Sequence, residues 1–341
     1  MNSRERVQAL FNRQKPDYVP VFSGYGNITV HGLKKHGWKF PEIHTDAVKM
    51  AKMANSTYEL FGFECSVAPF DMGVEAEVLG AKVNFYTHQD GILYPTIVEH
   101  PAEKTTELQI NIPDNLAQAG RLPVVTEALG MMKKDLGNEV MIGSWVLGPY
   151  TLAGQLVDLS DLSKSAFKRT DLVNQILETL TGYLISVIDL YRKAGADYIT
   201  VREMGAGPDI LSPRMFKNLI QPHLIRLFES IQSPKVLHMC GDTNAIVELL
   251  NECGADALSL EKKNQIAETR SKLGDEVLIF GDIDPYGVLV EGDNSDVEVA
   301  VKQALDAGVN ALWPGCDIWP DVPAENMKAL MDNARKHGKL L

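Results

Sequence analysis

The chain is predicted to fold as a single α/β domain, a closed (β/α)8 TIM barrel over residues 1–341, with an N-terminal helical extension and a small β insertion near residues 71–115. Three observations predict it. Eight short apolar runs alternate with helical patterns, an order that favours parallel strands joined by right-handed crossovers. Runs such as Glu139-Val-Met-Ile-Gly-Ser-Trp-Val-Leu-Gly148 are apolar nearly throughout, as a strand covered on both faces must be. A length of 341 residues suits one decorated barrel better than one sandwich or doubly wound sheet.

Residues 3–13 read as a helix with Ser3 as N-cap, broken by Lys15-Pro16-Asp17 before a first strand at 18–23. A loop rich in Gly, His and Pro covers 24–44. The helix at 45–60 takes Thr45 as cap, and its Val48, Ala51, Met53 and Tyr58 are spaced for one buried face. The second strand is 63–70. Choppy patterning from 71 to 115 indicates short strands, at 75–83 and 91–94, rather than a helix. A helix at 121–136 leads to the third strand at 139–148, and a helix carrying Leu152, Leu156 and Leu159 follows. The long amphipathic helix of 171–194 ends at Gly195 ahead of the fourth strand, 197–203. Ser212-Pro213 opens a helix to about 231. Strands at 235–240, 256–261, 276–282 and 310–315 then alternate with helices at 243–252, 264–273, 295–307 and 323–337.

Composition removes several function classes. With 45% hydrophobic and 23% charged residues the chain has ample core and no disorder signature. A net charge of −12 without any Lys/Arg block repels phosphate backbones, so no nucleic-acid partner is expected. No secretory leader pattern and no run of membrane-spanning length is present, so a cytoplasmic protein without membrane contact is expected. Four cysteines, Cys65, Cys240, Cys253 and Cys316, are too few for a disulfide framework and fit reduced thiols or metal ligands.

Barrel enzymes carry their chemistry at the carboxyl ends of the strands. On the predicted barrel these ends bring Glu203, His238, Cys240, Glu261, Asp282, Asp284 and Cys316 to one mouth. In Lys235-Val-Leu-His-Met-Cys-Gly-Asp242, residues i and i+2 of a strand project to the same side, so His238 and Cys240 can reach one ion. Cys316, in Trp313-Pro-Gly-Cys-Asp-Ile-Trp-Pro320, is the third candidate. One imidazole and two thiolates suit Zn²⁺ and leave its fourth position open to a reacting molecule. The competing reading makes both cysteines small core residues and His238 a hydrogen-bonded strand end.

Leu237-His-Met-Cys-Gly241, Gly281-Asp-Ile-Asp-Pro285, Pro314-Gly-Cys316 and Pro323-Ala-Glu-Asn326 together resemble the uroporphyrinogen decarboxylase superfamily. Within it the chain is similar to the zinc-dependent, corrinoid-linked methyltransferase branch, that of the methylcobalamin:coenzyme M methyltransferases. Likeness extends over almost the whole chain, through Arg4-Glu-Arg6 with Val19-Pro-Val21, Pro41-Glu-Ile-His44, Phe61-Gly-Phe-Glu64 with Pro69-Phe-Asp71, and Gly148-Pro-Tyr-Thr-Leu-Ala153. The decarboxylases carry an arginine-rich segment where this chain reads Phe22-Ser-Gly-Tyr-Gly-Asn-Ile28, with no arginine for porphyrin carboxylates. Two departures from the methyltransferase pattern, Glu203-Met-Gly-Ala-Gly-Pro208 and Asp282, fall at the mouth, where substrate identity is set.

The resemblance implies zinc on His238, Cys240 and Cys316, and a methyl group moved from methylcobalamin, carried by a partner corrinoid protein, to a thiol such as coenzyme M. Its alternative is the demethylating direction, from a methoxylated aromatic to a cobalt(I) corrinoid. More distant are a metal-free decarboxylase and a non-catalytic scaffold. Glu261 is then a candidate fourth zinc ligand, or an ordinary strand-end carboxylate. Asp282 and Asp284 are candidates to orient His238 or contact substrate, or are turn caps. Glu203 is a substrate contact or the partner of Arg202. Trp313 and Trp319 flank Cys316 as an apolar wall for a corrin or an aromatic substrate, or pack in the core. Cys65 and Cys253 read as structural, His223 as a packing or hydrogen-bonding residue, and His31, His36 and His44 as solvated loop side chains.

Overall fold

Seven parallel strands form one curled sheet, and a two-residue segment joins its edges. The computed structural model describes residues 1–339. Its strands are β1 (Cys65–Ala68), β2 (Lys82–Asn84), β3 (Thr96–Glu99), β4 (Met141–Leu147), β5 (Tyr198–Arg202), β6 (Lys235–Met239), β7 (Ala257–Leu260), β8 (Leu278–Ile283) and β9 (Ala311–Pro314). The sheet runs β1-β4-β5-β6-β7-β8-β9, while β2 and β3 pair alone as a small antiparallel ribbon within the expected insertion. Between the open edges lies Val21, bridged in parallel to Leu312. The Leu312 N–H donates to the Pro20 carbonyl and the Glu64 N–H to the Val21 carbonyl, both at 2.9 Å.

The predicted first strand at 18–23 thus contracts to this link. Pro20 has no N–H to give a ladder, and the Val21 N–H donates to the Glu64 carboxylate at 2.8 Å instead of to a strand. Beyond it the chain crosses the barrel axis. A Cβ on Gly24 would stand 1.8 Å from Thr200 Oγ1, so only glycine passes there, and Tyr25 is delivered inside the mouth. Below, Phe22 meets Tyr198, Phe280 and Trp313 edge-on at 5.9, 5.4 and 5.1 Å. Phe11, at the end of the N-terminal helix Ser3–Phe11, closes the other end against Phe22 and Phe280.

Several helices differ from expectation for local reasons. Residues Val74–Val78 form one helical turn rather than a strand, packed on the helix Pro149–Leu156. The 24–44 loop contains a helix, Val30–His36, capped by Thr29 and ended by Gly37 in the left-handed conformation. Asp46, not Thr45, caps Ala47–Phe61, whose buried face is Met50, Met53, Ala54 and Thr57, with Val48 half exposed. Helix 243–252 shortens to Val247–Asn251, because Asn264 Oδ1 takes the Thr243 N–H and Asp242 Oδ1 the Asn244 N–H, holding that stretch in a side-chain turn. Among the described residues no helix is long and apolar enough to cross a membrane.

Candidate metal centre at the barrel mouth

His238 and Cys240 leave the end of β6 on the same side, and Cys316 reaches them from the loop after β9. Cys240 Sγ lies 3.0 Å from His238 Nε2 and 3.7 Å from Cys316 Sγ, and the three donor atoms all lie within 4.8 Å of one another. A tetrahedral zinc with ordinary bond lengths separates two thiolate sulfurs by about 3.8 Å and a sulfur from an imidazole nitrogen by about 3.6 Å. The sulfur pair already has that spacing; the imidazole would move by about half an ångström to reach it.

The far side of the imidazole offers its proton a partner. His238 Nδ1 lies 3.2 Å from the Ser259 carbonyl oxygen, which can only accept, and a hydrogen on Nδ1 leaves the Nε2 lone pair facing the sulfurs. Tyr25 OH stands 2.5 Å from the same nitrogen and 2.7 Å from Ser259 Oγ. Arg202, His238 and Ser259 are register neighbours across β5, β6 and β7, forming one inward-facing layer. A hydrogen bond from Cys240 holds the Cys316 thiol below its ordinary range against the effect of burial. The same contact, with burial, pushes Cys240 up, because two sulfurs this close share one proton before they part with the second.

Gly315 makes the approach of Cys316 possible. A Cβ there would meet the Glu261 Cα at 3.1 Å, so the loop lies directly on the end of β7. Beside Cys316 opens a cavity of about 320 Å³, walled by Phe70, Tyr94, Trp145, Arg202, Asp317 and Trp319. Its surface is mostly aromatic and aliphatic, which keeps bulk water from the sulfurs.

The other expected site residues divide. Glu261 is outside the three-donor group: its carboxylate accepts the Gly241 N–H at 2.7 Å and so fixes the turn that follows Cys240. Glu203 does not reach the cavity. It is fully buried behind β5, accepting the N–H groups of Tyr150 and Thr151 at 2.9 and 2.8 Å and the Thr151 hydroxyl at 2.5 Å. There it caps the helix Pro149–Leu156, and burial pushes its carboxyl up to about 7 against the pull of these donors. Asp282 also misses the mouth, facing Lys262 and the helices Ile266–Leu273 and Asn294–Asp306. Asp284 caps its own turn, accepting from the Tyr286 and Gly287 N–H groups. The orienting partners of His238 are therefore Tyr25 and Ser259, not the two aspartates. Trp313 lies in the core beneath the centre, whereas Trp319 is half exposed and lines the cavity. Cys65 and Cys253 are buried away from the centre, and His223 bonds Asn174 at 2.9 Å. His44 is buried and bonded to Asp71 rather than solvated.

Glu203→Ala is accordingly expected to cost about 2–3 kcal/mol of stability, since it orphans buried N–H donors, with metal content per chain unchanged. Urea unfolding and metal analysis of the same preparation check both; lost metal with unchanged stability would restore Glu203 to the site.

A family model described as uroporphyrinogen decarboxylase (URO-D) matches residues 2–337. The chain belongs to that family. It is 33% identical over 329 residues, 96% of each chain, to methylcobamide:CoM methyltransferase MtaA of Methanosarcina barkeri. To methylcobamide:CoM methyltransferase MtbA of Methanosarcina mazei it is 26% identical over 337 residues, 98% of each chain. A solved structure, a methyltransferase from Methanosarcina mazei, aligns with a TM-score of 0.92 at 31% identity, over 98% of this chain and 99% of that one.

Proposed function

We propose that this enzyme transfers a methyl group from a methylated corrinoid, presented by a partner protein, to a small thiol of the coenzyme M kind, with zinc held by His238, Cys240 and Cys316. The observation that carries this reading is the donor trio at near-zinc spacing beside a cavity of about 320 Å³. The names of the relatives point to the same donor and acceptor. Bound zinc supplies the charge that keeps a thiol in its nucleophilic thiolate form at neutral pH.

The chain's own residues do the rest. Ser259 and Tyr25 hold the His238 ring in place, and Glu261 fixes the turn that aims Cys240. Phe70, Tyr94, Trp145 and Trp319 exclude water from the reacting sulfur. A cavity of this volume admits a small thiol but not a corrin, so the corrin ring must approach from the open side, over Trp319. The cavity would hold the sulfur in line with the methyl carbon, so that a sulfur–carbon bond could form as the methyl leaves the corrinoid substrate with its bonding pair left behind, the thiol proton having passed to solvent. A decarboxylase acting on a porphyrin polyacid fits less well, because among the described residues the one cation on the cavity wall, Arg202, is paired with Asp317.

Purified protein mixed with methylcobalamin and 2-mercaptoethanesulfonate tests this. Loss of the methyl–cobalt absorbance is expected, to stop after chelation and to return with added zinc. No metal-dependent change with any thiol, or methyl uptake by cobalt(I) from a methoxylated aromatic instead, would overturn the assignment.

A further inference from the structure

We propose that Cys316 and Cys240 form an oxidative modification site, where a peroxide converts the two sulfurs into a reversible disulfide and expels the metal. The inference rests on the zinc reading above and adds a second chemistry to the same sulfurs, an inactive state entered by oxidation.

The two thiols are unequal in access. Cys316 lines the cavity and Cys240 does not, standing 3.7 Å from it, sulfur to sulfur. A small oxidant entering the cavity therefore meets Cys316 first. The other two cysteines, Cys65 and Cys253, are buried away from the centre and offer no competing partner. A disulfide needs about 2.0 Å between its sulfurs, so one of them must advance by roughly 1.7 Å. Cys240 is the anchored one: it follows the end of β6, and the Gly241 N–H after it is tied to Glu261 at 2.7 Å. Cys316 lies in the loop after β9, beyond the last ladder pair at Pro314, and makes the move.

The Cys316 sulfur attacks hydrogen peroxide, the O–O bond breaks, and a sulfenic acid forms as water leaves. The Cys240 sulfur then attacks that sulfur; the S–S bond forms, the S–O bond breaks, and a second water leaves. In sum, two thiols lose two electrons and two protons, and one peroxide gains them. Zinc and the disulfide exclude each other. Bound zinc takes a lone pair from each sulfur and keeps them about 3.8 Å apart. A disulfide has no thiolate to give and leaves His238 as the one remaining donor of the trio. Metal therefore guards the pair, and oxidation shuts the site to metal until a thiol reductant reopens it.

The test treats the zinc enzyme with hydrogen peroxide, alone, with a chelator or with excess zinc, and traps surviving thiols with N-ethylmaleimide. One zinc is expected to leave for every two thiols lost, the thiol count falling from four to two, with Cys240 and Cys316 recovered in one cross-linked peptide. Dithiothreitol and zinc should restore metal binding. The chelator should speed closure by about tenfold or more, since free thiolates react and metal-bound ones are held, and excess zinc should slow it. In Cys240→Ser the Cys316 sulfenic acid has no partner and should be trapped by dimedone, whereas Cys316→Ser should label far more slowly. Four surviving thiols, a pairing through Cys65 or Cys253, or covalent dimers in place of the internal link would overturn the proposal, as would equally fast dimedone labelling of the two variants. Failure of the zinc reading would show separately, as a disulfide that still forms with no metal released and at a rate indifferent to chelator and zinc.

Discussion

Replacing Cys316 by alanine is expected to abolish both zinc binding and methyl transfer while leaving the barrel folded. Three donors, two from the end of β6 and one from the loop after β9, converge at the mouth, and removing one leaves an imidazole and a single sulfur, too few for a tetrahedral site that must also keep a position open. Loss of a group that merely orients a ligand costs about 10–100-fold, so loss of a ligand itself should exceed about 10³-fold in kcat/KM, roughly 4 kcal/mol of barrier. The structural effect should be small, because Cys316 is only partly buried and sits on a loop. Metal per chain, unfolding midpoint and the methylcobalamin spectrum give the three readouts. Cys240→Ala should behave alike. Cys253→Ala, deleting a core thiol at the end of the helix Val247–Asn251, should instead lower stability and keep the metal. A Cys316→Ala protein with full zinc and full turnover would remove the basis of the site.

The pair His238 and Cys240 was legible because both lie at the end of one strand, where a period of two settles which residues share a side. Cys316 was legible only with the barrel in mind, since 76 residues separate it from Cys240. What the sequence could not settle was parity at the strand ends. On β5, Tyr198, Thr200 and Arg202 point inward and Glu203 outward, so the carboxylate that seemed to face the mouth caps a helix and its neighbour faces the cavity. Asp282 departs from parity altogether: two residues on from inward-facing Phe280, it nevertheless leaves β8 toward the helical layer. Tyr25 carried a weak signal at most. It lies between two glycines, but nothing local says that the chain there dives over β5.

Eight apolar runs were enough for the barrel, because each later strand is bounded by a helix with its own cap or glycine stop. The first run was overextended because an apolar segment containing Pro20 satisfies a hydrophobic pattern without satisfying a hydrogen-bond ladder. Short motifs at the start of the chain turn out to be joints of the scaffold. Arg6, from Arg4-Glu-Arg6, forms a buried ion pair with Glu64, from Phe61-Gly-Phe-Glu64, and that carboxylate also receives the Val21 N–H that helps close the barrel. Sequence shows such residues singly; only the fold shows that they are partners.

A second such joint links Asp71 with Arg121 and His44, and Arg121→Met is expected to destabilise the protein by about 3–5 kcal/mol near neutral pH, as breaking one side of a buried pair does. Asp71 is almost wholly buried behind Phe70 on the cavity wall. Arg121 donates to its two oxygens at 2.8 Å each, and His44, from Pro41-Glu-Ile-His44, contacts it at 2.9 Å. Burial alone would raise the Asp71 carboxyl; Arg121 and His44 hold it well below the usual range. A depressed carboxyl contributes stability that is present above its unfolded value, about 3.9, and is lost only as the pH falls toward the folded value. Without Arg121 burial prevails, the folded value rises above the unfolded one, and the ionised carboxylate becomes a liability that protonation relieves. The deficit of Arg121→Met should therefore be greatest near pH 7 and shrink on acidification toward pH 4, and adding Asp71→Asn should recover part of it at pH 7. Urea unfolding across that range reads the trend. A deficit that stays constant with pH would mean that Arg121 acts there through packing against Phe85 and not through charge.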